Sequence, residues 1–161
     1  MTPTTDGQIT APAIAVLFER YSGLVFRVAF QHVWQKSLAE DVTQDVFVKL
    51  LGYRKPFADD AHLTAWLVKV TVNRSRDINR AASNSERPIE NYYDLGYTEA
   101  DIPLLETLHS LPAQQRTILC LHDYEGYSCP EIGRMLDLPT NTVSTRLRRA
   151  RKQAAIVLQE V

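Results

Sequence analysis

Ser128 to Arg151, SCPEIGRMLDLPTNTVSTRLRRAR, reads as a short helix, a tight turn and a second, strongly basic helix. Ser128 is placed to cap the first helix, and Glu131 three residues on completes a capping box around Pro130. Ile132 and Leu136 fall four apart on one face, and Gly133 between them predicts a close approach by another helix. A glycine inside a helix costs about 1 kcal/mol against alanine, which close packing would offset. Asp137-Leu138-Pro139 stops the helix. The next one carries Val143, Leu147 and Ala150 inward and Thr142, Ser144, Thr145, Arg146, Arg148, Arg149 and Arg151 outward. That is a helix-turn-helix whose second helix suits a major groove. Helical hairpins with charged outer faces also occur in proteins that never touch nucleic acid. Solvated faces, however, usually mix signs so that residues four apart pair, and Thr140 to Lys152 holds no carboxylate.

A chain of 161 residues accommodates one domain or two small ones. The formal net charge of -1 conceals a segregation. Lys and Arg dominate Lys69–Arg80 and Arg146–Lys152, whereas Glu86–Asp101 and the surroundings of Glu40–Asp45 are acidic. No apolar run approaches a membrane span and the N-terminus lacks the segments of a signal peptide, so a cytoplasmic protein without membrane insertion is expected. Cys120 and Cys129 fit a reducing compartment, with Cys120 read as a small core hydrophobe. Cys120-x-His122 has no second pair at metal-binding spacing, and neither a metal nor another cofactor is expected.

In the first half, a helix opening at Ala13 reaches Tyr21, and Ser22-Gly23 predicts a bend or restart before a second apolar face, Leu24 to Ala29, running towards Trp34. A third helix, Leu38 to Leu51, repeats Leu38, Val42, Val46 and Leu50 every four residues, with Phe47 and Leu51 beside them. Its other side, with Glu40, Asp41, Gln44, Asp45 and Val48, is either a solvated acidic face or a docking surface for a basic partner. A loop holding Pro56 and Phe57 leads to a fourth helix, capped by Asp59 or Asp60. Leu63, Trp66, Leu67, Val70 and Ile78 form its core stripe, and Lys69, Asn73, Arg76 and Arg80 a cationic one. Phe57 beside that stripe has the ingredients of a single-strand site, an aromatic ring next to a basic groove.

Residues 82–103 lack a helical period, are acidic and read as a linker carrying Tyr92, Tyr93 and Tyr97. Leu104 to Leu111 and the stretch from Pro112 supply two more helices ahead of the opening motif. No nucleophile with a paired base and no phosphate loop is visible, so catalysis is not expected; Asp77 reads as the partner of a neighbouring arginine.

The chain resembles the bacterial extracytoplasmic-function (ECF) sigma factors of the sigma-70 family. The resemblance rests on AEDVTQDVFVKLL (Ala39–Leu51), AWLVKVTVNRSRDINR (Ala65–Arg80), LHSLPAQQRTILCL (Leu108–Leu121) and EGYSCPEIGRMLDLPTNTVSTRLRRARK (Glu125–Lys152), in this order. It implies an all-α fold of two small domains: a four-helix promoter-melting domain at 11–81, and a helix-turn-helix domain at 104–161 beyond the acidic linker. It also implies docking of Asp41, Gln44, Asp45 and Phe47 on the clamp helices of the largest subunit of core RNA polymerase, with the flap as a further contact. Phe57, Lys69, Val70 and Asn73 would capture an unstacked base of the minus-ten element, with Arg76 and Arg80 on the nearby backbone. Ser144, Thr145, Arg148 and Arg149 would read the minus-thirty-five element, while Thr142, Arg146 and Arg151 grip phosphates. The linker would enter the RNA-exit path, and an anti-sigma factor would be a partner. The chain departs from the family pattern at Asp137, Asn141 and Ser144. A stand-alone helix-turn-helix repressor or activator is the alternative, though it would not need a single-strand pocket beside an acidic docking helix.

Overall fold

The chain divides into two units, Met1–Arg87 and Pro88–Val161. The computed structural model describes residues 4–5, 8–81 and 96–159. The only strands among them are β1 (Thr4–Thr5) and β2 (Gln8–Ile9), an antiparallel pair matching Thr4 to Ile9 and Thr5 to Gln8. Everything else regular is helical.

The first unit packs α1 (Ala11–Val33), α2 (Lys36–Gly52) and α3 (Asp60–Ala81) against one another. Thr10 caps α1 through its hydroxyl, which accepts from the Ala13 N–H at 3.4 Å, and Trp34 ends it in the left-handed region at φ 53°. The bend expected at Ser22-Gly23 is absent, so the described residues of this unit hold three helices rather than four. The reason is the phase of the apolar stripe: Ala13, Leu17, Tyr21, Leu24 and Val28 step by four, four, three and four straight through the glycine. A single glycine costs about 1 kcal/mol, less than burying any one of those larger side chains contributes.

Val25, Val28, Val42, Val46, Leu50, Leu63, Leu67 and Val68 form the fully buried centre. Threonines enter this interior because each hydroxyl finds a carbonyl one turn back: Thr43 donates to Ala39 at 2.7 Å and Thr71 to Leu67 at 2.6 Å. Phe47 belongs here too. It is only 5% exposed and meets Phe18 edge-on at 5.0 Å, which removes it from the docking set expected on α2.

The second unit contains α4 (Ile102–Ser110), α5 (Ala113–Leu119) running into a π-turn (Cys120–Tyr124), α6 (Cys129–Leu136) and α7 (Thr140–Gln159). Helix α7 packs on α4, α5 and α6, and Leu111, Ile118, Leu121, Ile132, Val143 and Ala150 are almost fully buried. One cation goes inside with them. Arg116 donates through Nη1 to the carbonyls of His109 (3.2 Å) and Leu111, serving groups that the end of α4 leaves unsatisfied. Burial pushes its guanidinium down to about 10. Cys120 is half-buried at the start of the π-turn rather than fully in the core.

Of the acidic stretch, Glu86, Glu90, Asp94, Tyr92 and Tyr93 lie outside the described residues. At its end Asp101 accepts from both the N–H and the hydroxyl of Thr98 at 2.8 Å, which hold its carboxyl below the usual range. Helix α4 begins at Ile102, inside the span assigned to the linker.

Candidate nucleic-acid interface and docking face

Ser128 Oγ accepts from the Glu131 N–H at 3.3 Å, so α6 starts where its capping residues specify. It ends at Asp137, in the left-handed region at φ 54°, a conformation that costs most residues 1–2 kcal/mol but that Asp tolerates better. Gly133 is close-packed, most tightly by the turn, with the first nitrogen of α7, at Thr140, 3.8 Å from where a Cβ would sit. The turn itself folds back on it: Leu138 N–H donates to the Gly133 carbonyl at 2.9 Å, and a Cβ on Gly133 would sit 2.6 Å from the Leu138 oxygen.

On α7 the buried residues Val143, Leu147, Ala150 and Ala154 recur at four, three and four. At 100° per residue the opposite edge falls to Asn141, Thr145, Arg148 and Lys152, flanked by Ser144 and Arg149. Ser144, Arg148 and Arg149 are exposed, and Thr142, Thr145 and Arg146 half-buried. No ion pair among the described residues holds Arg146, Arg148 or Arg149. Arg151 differs. Its guanidinium is engaged by both carboxylate oxygens of Asp123, with Nε to Oδ2 at 3.2 Å, and lies 3.1 Å from His122 Nδ1. The Arg151 hydrogen bond holds the Asp123 carboxyl below its ordinary range, and the same bond raises Arg151. Arg151 is therefore a tie between α7 and the π-turn, not a free phosphate grip.

In the first unit the outer side of α2 exposes Glu40, Asp41, Gln44 and Val48, while Asp45 leans onto α3 and pairs with Arg74 Nε at 2.9 Å. One face of α3 carries two kinds of side chain in succession. His62 and Trp66 lie at its N-terminal end, followed by Lys69, Asn73, Arg76 and Arg80 at spacings of three or four. Asp59 caps this helix, its Oδ1 accepting from the His62 N–H at 2.8 Å. Above it the loop residues Tyr53 and Phe57 stack at 5.1 Å, and Trp66 lies 5.1 Å from Tyr53 and 6.0 Å from Phe57. Asn73 and Arg76 are exposed, Phe57, Lys69 and Val70 half-buried, and Arg80 lies 3.9 Å from Asp77. Trp66, assigned to the core from its spacing, is half-buried in a ring cluster whose other members, Tyr53 and His62, carry no motif of their own.

The family model for Sigma-70 region 2 matches residues 17–84, and that for Sigma-70, region 4 matches residues 94–153. The ECF RNA polymerase sigma factor SigM of Mycobacterium tuberculosis is 30% identical over 147 residues, covering 88% of this chain and 75% of SigM. The chain belongs to the ECF sigma factors. Two solved structures share the fold of this sigma factor. CnrH, solved in complex with the cytosolic domain of CnrY, has a TM-score of 0.73 at 24% identity over 94% of this chain and 90% of CnrH. RpoE of Bartonella quintana, solved with the anti-sigma factor NepR, has a TM-score of 0.72 at 20% identity over 90% and 96%.

This sigma factor binds core RNA polymerase and directs it to promoters for initiation. The stand-alone repressor or activator is not favoured, because the region 2 match falls on the half that such a protein does not need. Among the described residues no helix is long and apolar enough to cross a membrane, and no group of three metal-ligating side chains forms.

Proposed function

We propose that this sigma factor, working in the cytoplasm and without catalysis of its own, holds its promoter at two points and the polymerase at a third. Asp41 and Gln44, with Asp45 once it leaves Arg74, dock on the basic clamp helices of the largest subunit, and the second unit meets the flap. The loop at Phe57 and the α3 face of Lys69, Val70 and Asn73 capture one unstacked base of the minus-ten element, while Arg76 and Arg80 hold the backbone beside it. Extruding a base costs a few kcal/mol, and a stacking contact with an aromatic side chain contributes about 1–3 kcal/mol, so one pocket offsets much of that cost. On α7, Ser144, Thr145, Arg148 and Arg149 read the minus-thirty-five element, and Thr142 and Arg146 grip phosphates. Glu86, Glu90 and Asp94 carry charge of the transcript's sign towards the RNA-exit path.

The observation that carries this reading is the face of α3, where rings give way to cations along a single line. A helix that met only duplex DNA or only a protein would not need the two in sequence. An anti-sigma partner is inferred from the two structural neighbours, one solved with an anti-sigma factor and the other with a cytosolic domain. In vitro transcription with purified core polymerase on genomic fragments tests the whole: new start sites with paired upstream elements are expected. Start sites that survive unchanged when Phe57 and Arg149 are both replaced by alanine would refute the two-point grip.

A further inference from the structure

Residues 53–59 belong to no helix or strand; backbone hydrogen bonds tie the two ends, Tyr53 N–H to the Leu50 carbonyl at 3.1 Å and Leu63 N–H to the Asp59 carbonyl at 3.2 Å, and side chains meet the stretch between. His62 meets it twice. Its Nδ1 lies 3.0 Å from the backbone nitrogen of Ala58, and its ring edge faces Phe57 at 5.1 Å and 73° between planes. A backbone N–H only donates, so Nδ1 is the unprotonated nitrogen and the ring proton sits on Nε2. The backbone that carries the imidazole is itself held, because the His62 backbone N–H donates to the Asp59 cap at 2.8 Å. Tyr53 and Trp66 bracket the Phe57 ring by contact alone. His62 is the ring of this cluster that also hydrogen-bonds the backbone next to Phe57.

We propose that His62 is a positioning residue for base capture. This rests on the reading of Phe57 given above and extends it. By fixing the Ala58 backbone and the Phe57 ring before DNA arrives, His62 removes an ordering cost that would otherwise fall on the captured base. Two properties of the imidazole are separable. The ring edge supports Phe57, and the Nδ1 acceptor holds the loop. His62→Phe keeps the first and loses the second; His62→Asn places an amide oxygen near the Nδ1 position and loses the ring.

The test uses holoenzyme assembled with core polymerase and forked promoter DNA carrying either the captured base or an abasic site at that position. The measured quantity is the ratio of the two affinities. Wild type prefers the base; His62→Phe lowers that preference by about tenfold, the scale of one hydrogen bond; His62→Asn restores most of it. Core affinity and the tryptophan-detected melting of the first unit, which holds both Trp34 and Trp66, stay level across all three. A His62→Phe enzyme with the wild-type ratio overturns the proposal, as does a His62→Asn enzyme no better than His62→Phe. If wild type and Phe57→Ala both fail to distinguish base from abasic site, base capture at this loop is wrong and the role of His62 falls with it.

Discussion

Gly133→Ala sets two effects of opposite sign against each other. Helix propensity alone favours alanine by up to about 1 kcal/mol. The geometry opposes it, since the new Cβ would lie 2.6 Å from the Leu138 carbonyl oxygen, where ordinary contact begins at 3.4 Å. That oxygen belongs to backbone between Asp137, already in the left-handed region, and Pro139, so it has little freedom to retreat. Overpacking against such a neighbour costs about 2–3 kcal/mol, leaving a net loss on the order of 1–2 kcal/mol. For a unit the size of Pro88–Val161 each kcal/mol moves the transition by about 4–8 °C. The chain has two tryptophans, Trp34 and Trp66, both in the first unit, which supplies an internal control. Far-UV circular dichroism should show a component melting earlier in the variant while the tryptophan-detected transition stays put. A variant that melts at the wild-type temperature or above it would show that the turn does not press on Gly133.

The two arginines at the end of the opening motif should separate cleanly. Arg149→Ala changes preference among minus-thirty-five variants by about 1–3 kcal/mol without altering melting, whereas Arg151→Ala lowers melting and changes promoter preference little; reversed results would exchange their roles. The Asp123 carboxyl titrates lower in the folded chain than its ordinary 3.8, so the stability it contributes is present above 3.8 and is lost as pH falls through the folded value. Asp123→Asn should accordingly cost up to about 1 kcal/mol at neutral pH, a modest figure because the pair is half-exposed, and the gap to wild type should close in acid. A gap that persists in acid would assign the effect to something other than charge. Asp45→Arg should weaken core binding and also destabilise the first unit by placing like charges together at Arg74. Pairing it with Arg74→Asp should recover the melting temperature but not the core affinity, and recovery of both would remove Asp45 from the docking face.

The helix-turn-helix was legible because its signals are local: a cap and its partner three residues apart, a proline-bearing stop, and a helix without carboxylates. The close approach at Gly133 was legible as well, but not what approaches, since a turn and a second helix leave the same glycine behind. Arg151 looked like its neighbours because Asp123, 28 residues away, cannot be assigned to it before the π-turn is in place. The same holds for Arg74 and Asp45 at a separation of 29. At Ser22-Gly23 the local breaker signal outweighed an apolar phase that was already continuous in the sequence. Phe47 was placed on the surface by the family likeness, although its own spacing beside Val46 and Leu50 put it in the core. Tyr53 and His62 could have been found by noting three aromatic residues and a histidine within Tyr53–Trp66, with His62 and Trp66 one helical turn apart.

The way α7 is anchored bears on how such a protein changes its targets. Its inner residues, and Arg151 through Asp123, fix where the helix lies, while Ser144, Arg148 and Arg149 are exposed and make no internal ion pair among the described residues. On the proposed reading of these three positions as promoter contacts, a gene duplicate can acquire substitutions there and come to serve a different set of promoters while the fold keeps its margin of stability.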